Sequence, residues 1–182
     1  MRSTPKGFRL HIGIFGRRNV GKSSLLNAMT RQAVSIVSDV AGTTTDPVEK
    51  PMELLPIGPV LFIDTAGIDD VGALGRMRVE KTRQVFDRTD VGVVVAEAGH
   101  WGEFEDLVVE ELASRDIPTV AVFNKVDLAA PRTEVIERLK ARKIATVETV
   151  ASRGDGLLDL REALIRKAPE EFLNAPTLIG DL

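Results

Sequence analysis

Gly16-Arg17-Arg18-Asn19-Val20-Gly21-Lys22-Ser23 is the stretch whose reading decides the fold. The pattern G-x-x-x-x-G-K-S forms a phosphate cradle when it joins a strand to a helix. Its flanks supply both elements: Leu10 to Phe15 reads as a buried strand, and Ser23 to Met29 as the helix that follows. Gly16 and Gly21 permit backbone torsions and close approaches that a side chain would block, so successive N–H groups can face phosphate oxygens. The helix N-terminus adds partial positive charge. Lys22 is a point charge within reach of terminal phosphates, and the Ser23 hydroxyl is placed to ligate the magnesium ion that accompanies a nucleoside triphosphate. The phosphate-binding set is Arg18, Asn19, Val20, Gly21, Lys22, Ser23 and Ser24. The Arg17 and Arg18 side chains are expected to turn outward, so neither is read as an arginine finger.

Two downstream strands carry the remaining chemistry. Val60 to Gly67 is apolar and ends in Asp-x-x-Gly, which puts the Asp64 carboxylate beside the magnesium and the Gly67 backbone N–H near the γ-phosphate. Val120 to Asp127 is a second buried strand, ending in Asn-Lys-x-Asp. Asp127 can accept both the N1–H and the exocyclic amine of guanine. Adenine has no N1–H, and a site built for polar pairing rejects such a mismatch by roughly four orders of magnitude in favourable cases. GTP is therefore expected over ATP, which opposes an ATPase or kinase reading. The Lys125 stem can lie over the purine face, and Asn124 can tie this loop to the phosphate loop.

The ordered set Gly16 to Ser23, Gly42-Thr43-Thr44-Thr45-Asp46, Asp64 to Gly67 and Asn124 to Asp127 resembles the translation-factor-related small GTPases, in the branch that contains the Era and tRNA-modification GTPases. More narrowly, Ser35 to Val48, Asp69-Asp70-Val71-Gly72 and Leu74 to Thr82 are similar to the GTPase domain of the HydF family of hydrogenase-maturation proteins. The resemblance implies a three-layer Ras-like P-loop fold and magnesium-dependent GTP hydrolysis, with Lys22, Thr44, Asp64 and Gly67 in the catalytic set. It makes Thr44 the switch threonine that joins Ser23 and Asp64 at magnesium; Thr43 and Thr45 leave its register open by one. It also puts Asn19 where related GTPases bind potassium, a cation that can neutralise transition-state charge as an arginine finger does. A tight-turn role for Asn19 is the alternative. Appended dimerisation and cluster-binding domains, a homodimer through the switch regions, and hydrogenase-maturation partners are implied in the same way.

The chain departs from the simplest pattern at Ile68, where many switch GTPases place a glutamine that orients the attacking water. An isoleucine cannot hydrogen-bond. Slow turnover of the domain alone is therefore expected, with the water-positioning group borrowed from Asp69, Asp70 or a partner; the two aspartates read first as loop carboxylates and only second as a general base. The same residue favours an alternative: a nucleotide-gated interaction switch with negligible intrinsic turnover. In the last loop, Val150-Ala151-Ser152-Arg153-Gly154, the family's usual Ser-Ala is Val-Ala. The Ala151 N–H remains a candidate donor to guanine O6, and Ser152 a further candidate in the same loop.

Composition fits one domain. The 182 residues are 43% hydrophobic, enough for a substantial core. A net charge of −3 provides no basic field for nucleic acid. The absence of cysteine excludes thiolate metal sites, so this segment holds no iron–sulfur cluster of its own. Apolar runs such as Val91 to Ala96 are of strand length and no secretory signal precedes Leu10, so a cytoplasmic protein without membrane contact is expected.

Strands alternate with helices near 73–88, 104–115, 133–142 and 157–167, and a hairpin is expected across Pro56-Ile57-Gly58. That alternation predicts a mostly parallel sheet with helices on both faces and ligands at the strand carboxyl ends. The G domain is placed at 9–168, after an arm at 1–8. Residues 169–182 read as a linker towards a further domain, with a tail packed on the sheet edge as the alternative. Trp101 is read as a loop residue packed on the next helix, and the two histidines as unconnected with metal.

Overall fold

The computed structural model describes residues 9–31, 48–65 and 80–173. β1 (Leu10–Gly16) leads through the phosphate loop to α1 (Lys22–Arg31). β2 (Val48–Leu54) and β3 (Gly58–Asp64) follow as a hairpin, and α2 (Glu80–Arg88) precedes β4 (Val91–Glu97). The chain continues through α3 (Glu103–Ser114), β5 (Thr119–Asn124), α4 (Thr133–Ala141), β6 (Ala145–Thr149) and α5 (Leu157–Lys167) to a short α6 (Glu170–Leu173). The part of the expected 73–88 helix before Glu80 lies outside the described residues.

The strands form one sheet in the order β2-β3-β1-β4-β5-β6. β2 runs antiparallel to β3, and every other pairing is parallel. Strand sequences dictate this burial. In Val91-Gly92-Val93-Val94-Val95-Ala96, alternate residues serve opposite faces: Val91, Val93 and Val95 join the core under α1 and α5, whereas Val94 and Ala96 join the core under α2, α3 and α4. A strand covered on both sides must be apolar throughout, as this one is.

The first core takes Leu25, Leu26, Ala28 and Met29 from α1 and Leu157, Leu160, Ala163 and Leu164 from α5. Ala168, which follows α5, is buried in this core, and Phe172 of α6 packs against it. The second core is richer in rings: Phe15 stacks on Phe86 at 4.8 Å, and Trp101 meets Phe123 at 5.4 Å. Trp101 is buried and donates from Nε1 to Asp106 Oδ1 at 2.8 Å, the packed loop position expected for it. Among the described residues, no helix is long and apolar enough to cross a membrane.

Candidate functional site

Because β1, β3 and β5 are parallel, their carboxyl ends open on one edge of the sheet. Register fixes the neighbours there: Ile14 lies beside Asp64, Gly16 beside Val95, and Glu97 beside Asn124. Three motifs far apart in sequence thus meet at one place.

The phosphate loop is shaped as much by its packing as by what it binds. A Cβ at Gly16 would come within 2.7 Å of the Val95 carbonyl oxygen. Gly21 has φ +100°, and a Cβ there would collide with Asn124 Nδ2. Val20 is buried between these glycine contacts, whereas Arg18 and Asn19 are exposed. Asn19 itself sits at φ 68°, a left-handed turn conformation that asparagine tolerates better than most residues. Lys22 Nζ donates to the Gly16 carbonyl at 2.8 Å, so the ammonium arches back over the loop that it closes. Ser23 and Ser24 are exposed in the first turn of α1, where the Leu25 N–H already bonds the Gly21 carbonyl at 2.8 Å. The Arg17 side chain turns away from this cradle: its guanidinium lies 3.3 Å from the Glu105 carboxylate and over the Phe104 ring.

Asp64 ends β3 beside the cradle. Thr65 secures this strand end by donating its hydroxyl to the Ile14 carbonyl at 2.7 Å. Asp64 Oδ1 is buried and makes no hydrogen bond. Burial pushes its carboxyl above the usual aspartate range, and the positive charges of Lys22 and Lys50 pull it back. A buried carboxylate oxygen without a partner is rare, and this one lies in the field of the Lys22 ammonium, with Ser23 next to that lysine in the chain. An oxygen donor set of this kind fits Mg2+, which takes one or two protein ligands and completes its shell with phosphates and water.

Asn124 joins the two ends of the site. Its Nδ2 donates to the Val20 carbonyl at 2.9 Å, while its Oδ1 accepts from Thr149 Oγ1 at 2.8 Å and from the Ala151 N–H at 3.0 Å. The side chain is buried with all three bonds made. One expectation changes as a result. The Ala151 N–H is engaged by Asn124, so a guanine O6 would have to share that donor instead of finding it free. Val150, in place of the family's serine, is buried, and its N–H and carbonyl-side partner Asp155 close the loop as a two-residue bridge. Ser152 is exposed on that loop, and Asp127 is exposed on the facing turn, which the Leu128 N–H closes on the Lys125 carbonyl at 2.9 Å. Lys125 takes φ 65° and donates to both the Asn19 carbonyl and Glu97 Oε2 at 2.8 Å.

Thr44 and its neighbours Thr43 and Thr45, Gly67, Ile68, Asp69 and Asp70 lie outside the described residues. Four residues at the site escaped the sequence reading: Thr149, Glu97, Glu105 and Lys50. A polar residue ending an apolar strand is the signal that Thr149 carried. Glu105 follows Gly102 at capping-box spacing and accepts the Gly102 N–H at 2.8 Å, but nothing local tells that it also holds Arg17. Glu97 and Lys50 carried no signal, since their partners are remote in the chain.

The model of one family, described as 50S ribosome-binding GTPase, matches residues 11–125. The chain is 38% identical over 158 residues to the tRNA modification GTPase MnmE of Aquifex aeolicus, covering 86% of this chain and 34% of that protein. It is 31% identical over 172 residues to the GTPase Der of Wolinella succinogenes, covering 90% of this chain and 36% of that one. It thus spans about a third of the length of these curated relatives. Among solved structures, Aquifex aeolicus Era bound to GDP and tetrafluoroaluminate superimposes with a TM-score of 0.66 at 28% identity, over 87% of this chain and 56% of that one. With a family match across more than half of its length and a Ras-like, mostly parallel sheet that brings the carboxyl ends of β1, β3 and β5 to one edge, the chain belongs to the 50S ribosome-binding GTPase family and is a GTPase domain of P-loop architecture.

Proposed function

We propose that this domain hydrolyses GTP in a magnesium-dependent reaction and that its nucleotide-responsive loops regulate a larger protein. The observation that carries the reading is the Asn124 junction, which makes one site of a phosphate loop and a guanine-reading loop. The N–H groups of Arg18 to Ser24 and the start of α1 receive the phosphates, and Lys22 moves from the Gly16 carbonyl to the terminal phosphate oxygens. Ser23 and Asp64 hold Mg2+, joined by Thr44 on the strength of the family resemblance. When bound, that ion supplies neutralisation of phosphate charge. Asp127 accepts from guanine N1–H and the exocyclic amine, and the Lys125 stem covers the base. Water attacks the γ-phosphorus. The bond to the bridging oxygen breaks, and GDP and inorganic phosphate leave, with the water's proton passing to the phosphate released. Gly67 offers a backbone N–H to the γ-phosphate, and its release on hydrolysis couples the switch to the nucleotide.

Two finer assignments belong to the same proposal. Potassium at Asn19 would add positive charge beside the phosphates where Ile68 provides no water-orienting group. A place in hydrogenase maturation rests on the likeness of residues 35–48 and 69–82 to the HydF family, with the cluster carried by another domain because this chain has no cysteine. The net charge of −3 supports leaving nucleic acid out of this segment's partners.

The deciding experiment is steady-state hydrolysis with Mg2+, comparing GTP with ATP and potassium with sodium. GTP-specific turnover stimulated by potassium supports the full reading; equal rates in the two salts remove the cation from it. GTP-specific binding with negligible turnover in either salt favours the second reading, an interaction switch, for which Ile68 is the motivating residue.

A further inference from the structure

β4 ends on Glu97, which belongs to none of the nucleotide motifs. Its Oε2 accepts from Lys125 Nζ at 2.8 Å, and the same ammonium donates to the Asn19 carbonyl at 2.8 Å. Glu97 and Asn124 are register partners in the parallel β4 and β5 pair, so the carboxylate and the lysine leave neighbouring strand ends on the edge where the site opens. The Ala98 N–H donates to the Asn124 carbonyl at 2.8 Å and continues this pairing past the strand end. The chain of contacts is therefore Glu97 to Lys125 to Asn19, reaching from β4 through the base-reading loop to the phosphate loop. It runs parallel to the buried Asn124 to Val20 bond, on the outer side of the site.

We propose that Glu97 is a positioning residue for guanine nucleotide: it holds Lys125 against the phosphate loop and thereby sets how slowly the nucleotide leaves. A lysine stem has four methylenes and high rotamer entropy, and an ammonium with only a neutral carbonyl partner spends much of its time elsewhere in water. A carboxylate adds a charge-assisted bond and fixes the direction of the stem. The hydrogen bond from Lys125 is also the main reason that the Glu97 carboxyl lies below its ordinary range. The other oxygen, Oε1, lies 3.3 Å from His100 Nδ1. An ordinary partly exposed ion pair would contribute little to stability, so the effect is sought in nucleotide release and not in folding. GDP and GTP share the base that the stem covers, so the contribution is the same in ground and transition states. It appears in KM and not in kcat.

The inference rests on the GTP-binding reading, and the experiment separates the two. The full chain is loaded with a fluorescent GDP, and release is followed after a chase with unlabelled GDP; KM and kcat are measured with GTP. Glu97→Ala is expected to release GDP about tenfold faster and to raise KM with kcat within about twofold of native. Glu97→Gln, which keeps an acceptor and the shape, falls between the two. In a Lys125→Met background the further effect of Glu97→Ala shrinks below about twofold, because the contact has already gone. Unchanged release in Glu97→Ala, or the same acceleration in both backgrounds, overturns the role of Glu97. A native chain that retains no GDP overturns the GTP-binding reading itself, before any variant is compared.

Discussion

Asn124 Nδ2 donates to the Val20 carbonyl at 2.9 Å across 104 residues of chain, and the bond makes the Asn124–Asp127 loop and the phosphate loop parts of one object. The two motifs need not be treated as separate sites that share a ligand. Each is held in shape by the other.

Replacing that side chain has a large expected cost. Asn124→Ala strands the Val20 carbonyl, the Thr149 hydroxyl and the Ala151 N–H in a buried place, and should destabilise the domain by about 2–4 kcal/mol. Denaturant unfolding monitored by far-ultraviolet dichroism checks this, and nucleotide affinity should fall with it. A loss under about 0.5 kcal/mol would show that water can replace all three bonds.

Gly21 and Asn124 should be coupled. Gly21→Ala puts a methyl group into the Asn124 amide at a backbone φ of +100°, a double penalty of about 1–3 kcal/mol or more. In an Asn124→Ala background only the backbone penalty remains, so the two losses should add to less than their sum. Strict additivity in a double-mutant cycle would place the strain elsewhere.

Asp64 gives a pH-dependent outcome. Burial raises its folded pKa above the unfolded value, so the folded domain binds more protons than the unfolded chain in that window. Above the folded pKa the ionised carboxylate opposes folding; as pH falls through it, that cost disappears. Asp64→Asn is therefore expected to raise the melting temperature of the domain, measured without nucleotide or Mg2+, at neutral pH. The gain should fade towards the ordinary aspartate range, and the variant should lose the effect of Mg2+ on nucleotide affinity. Lower stability at neutral pH would contradict the assignment.

Arg17 sits inside the phosphate motif yet serves the fold. Arg17→Ala leaves the buried Glu105 carboxylate with the Gly102 N–H as its remaining partner among the described residues and should cost about 1–3 kcal/mol, with Glu105→Gln in the same chain recovering part of it. kcat at saturating GTP should stay within about twofold of native. A drop of a hundredfold with native stability would make Arg17 a catalytic cation after all.

The alternating strands and helices, the order of the three motifs and their place at strand ends were legible in the residues, because each rests on local chemistry: apolar runs for buried strands, glycines for a tight loop, an Asn-Lys-x-Asp turn. The helix expected at 157–167 from that alternation is α5, Leu157–Lys167. Residues 169–173 were less legible. α6 is a single turn whose fit depends on where Phe172 lands, and no periodicity exists in four residues.

By itself, then, the sequence carried the patterns expected of a phosphate cradle, a magnesium-side carboxylate and a guanine-selecting turn, since each is a short-range pattern of residue types at fixed spacing. Only the tertiary structure decided how they hold one another. That Gly21 must be glycine because Asn124 lies against it, that the Ala151 N–H is already bonded, that Arg17 turns to Glu105 and that Glu97 grips Lys125 are consequences of parallel register and crossover connections. Those bring residues about a hundred positions apart to within 3 Å, as Lys125 and Asn19 show at a separation of 106, and no local pattern encodes such distances.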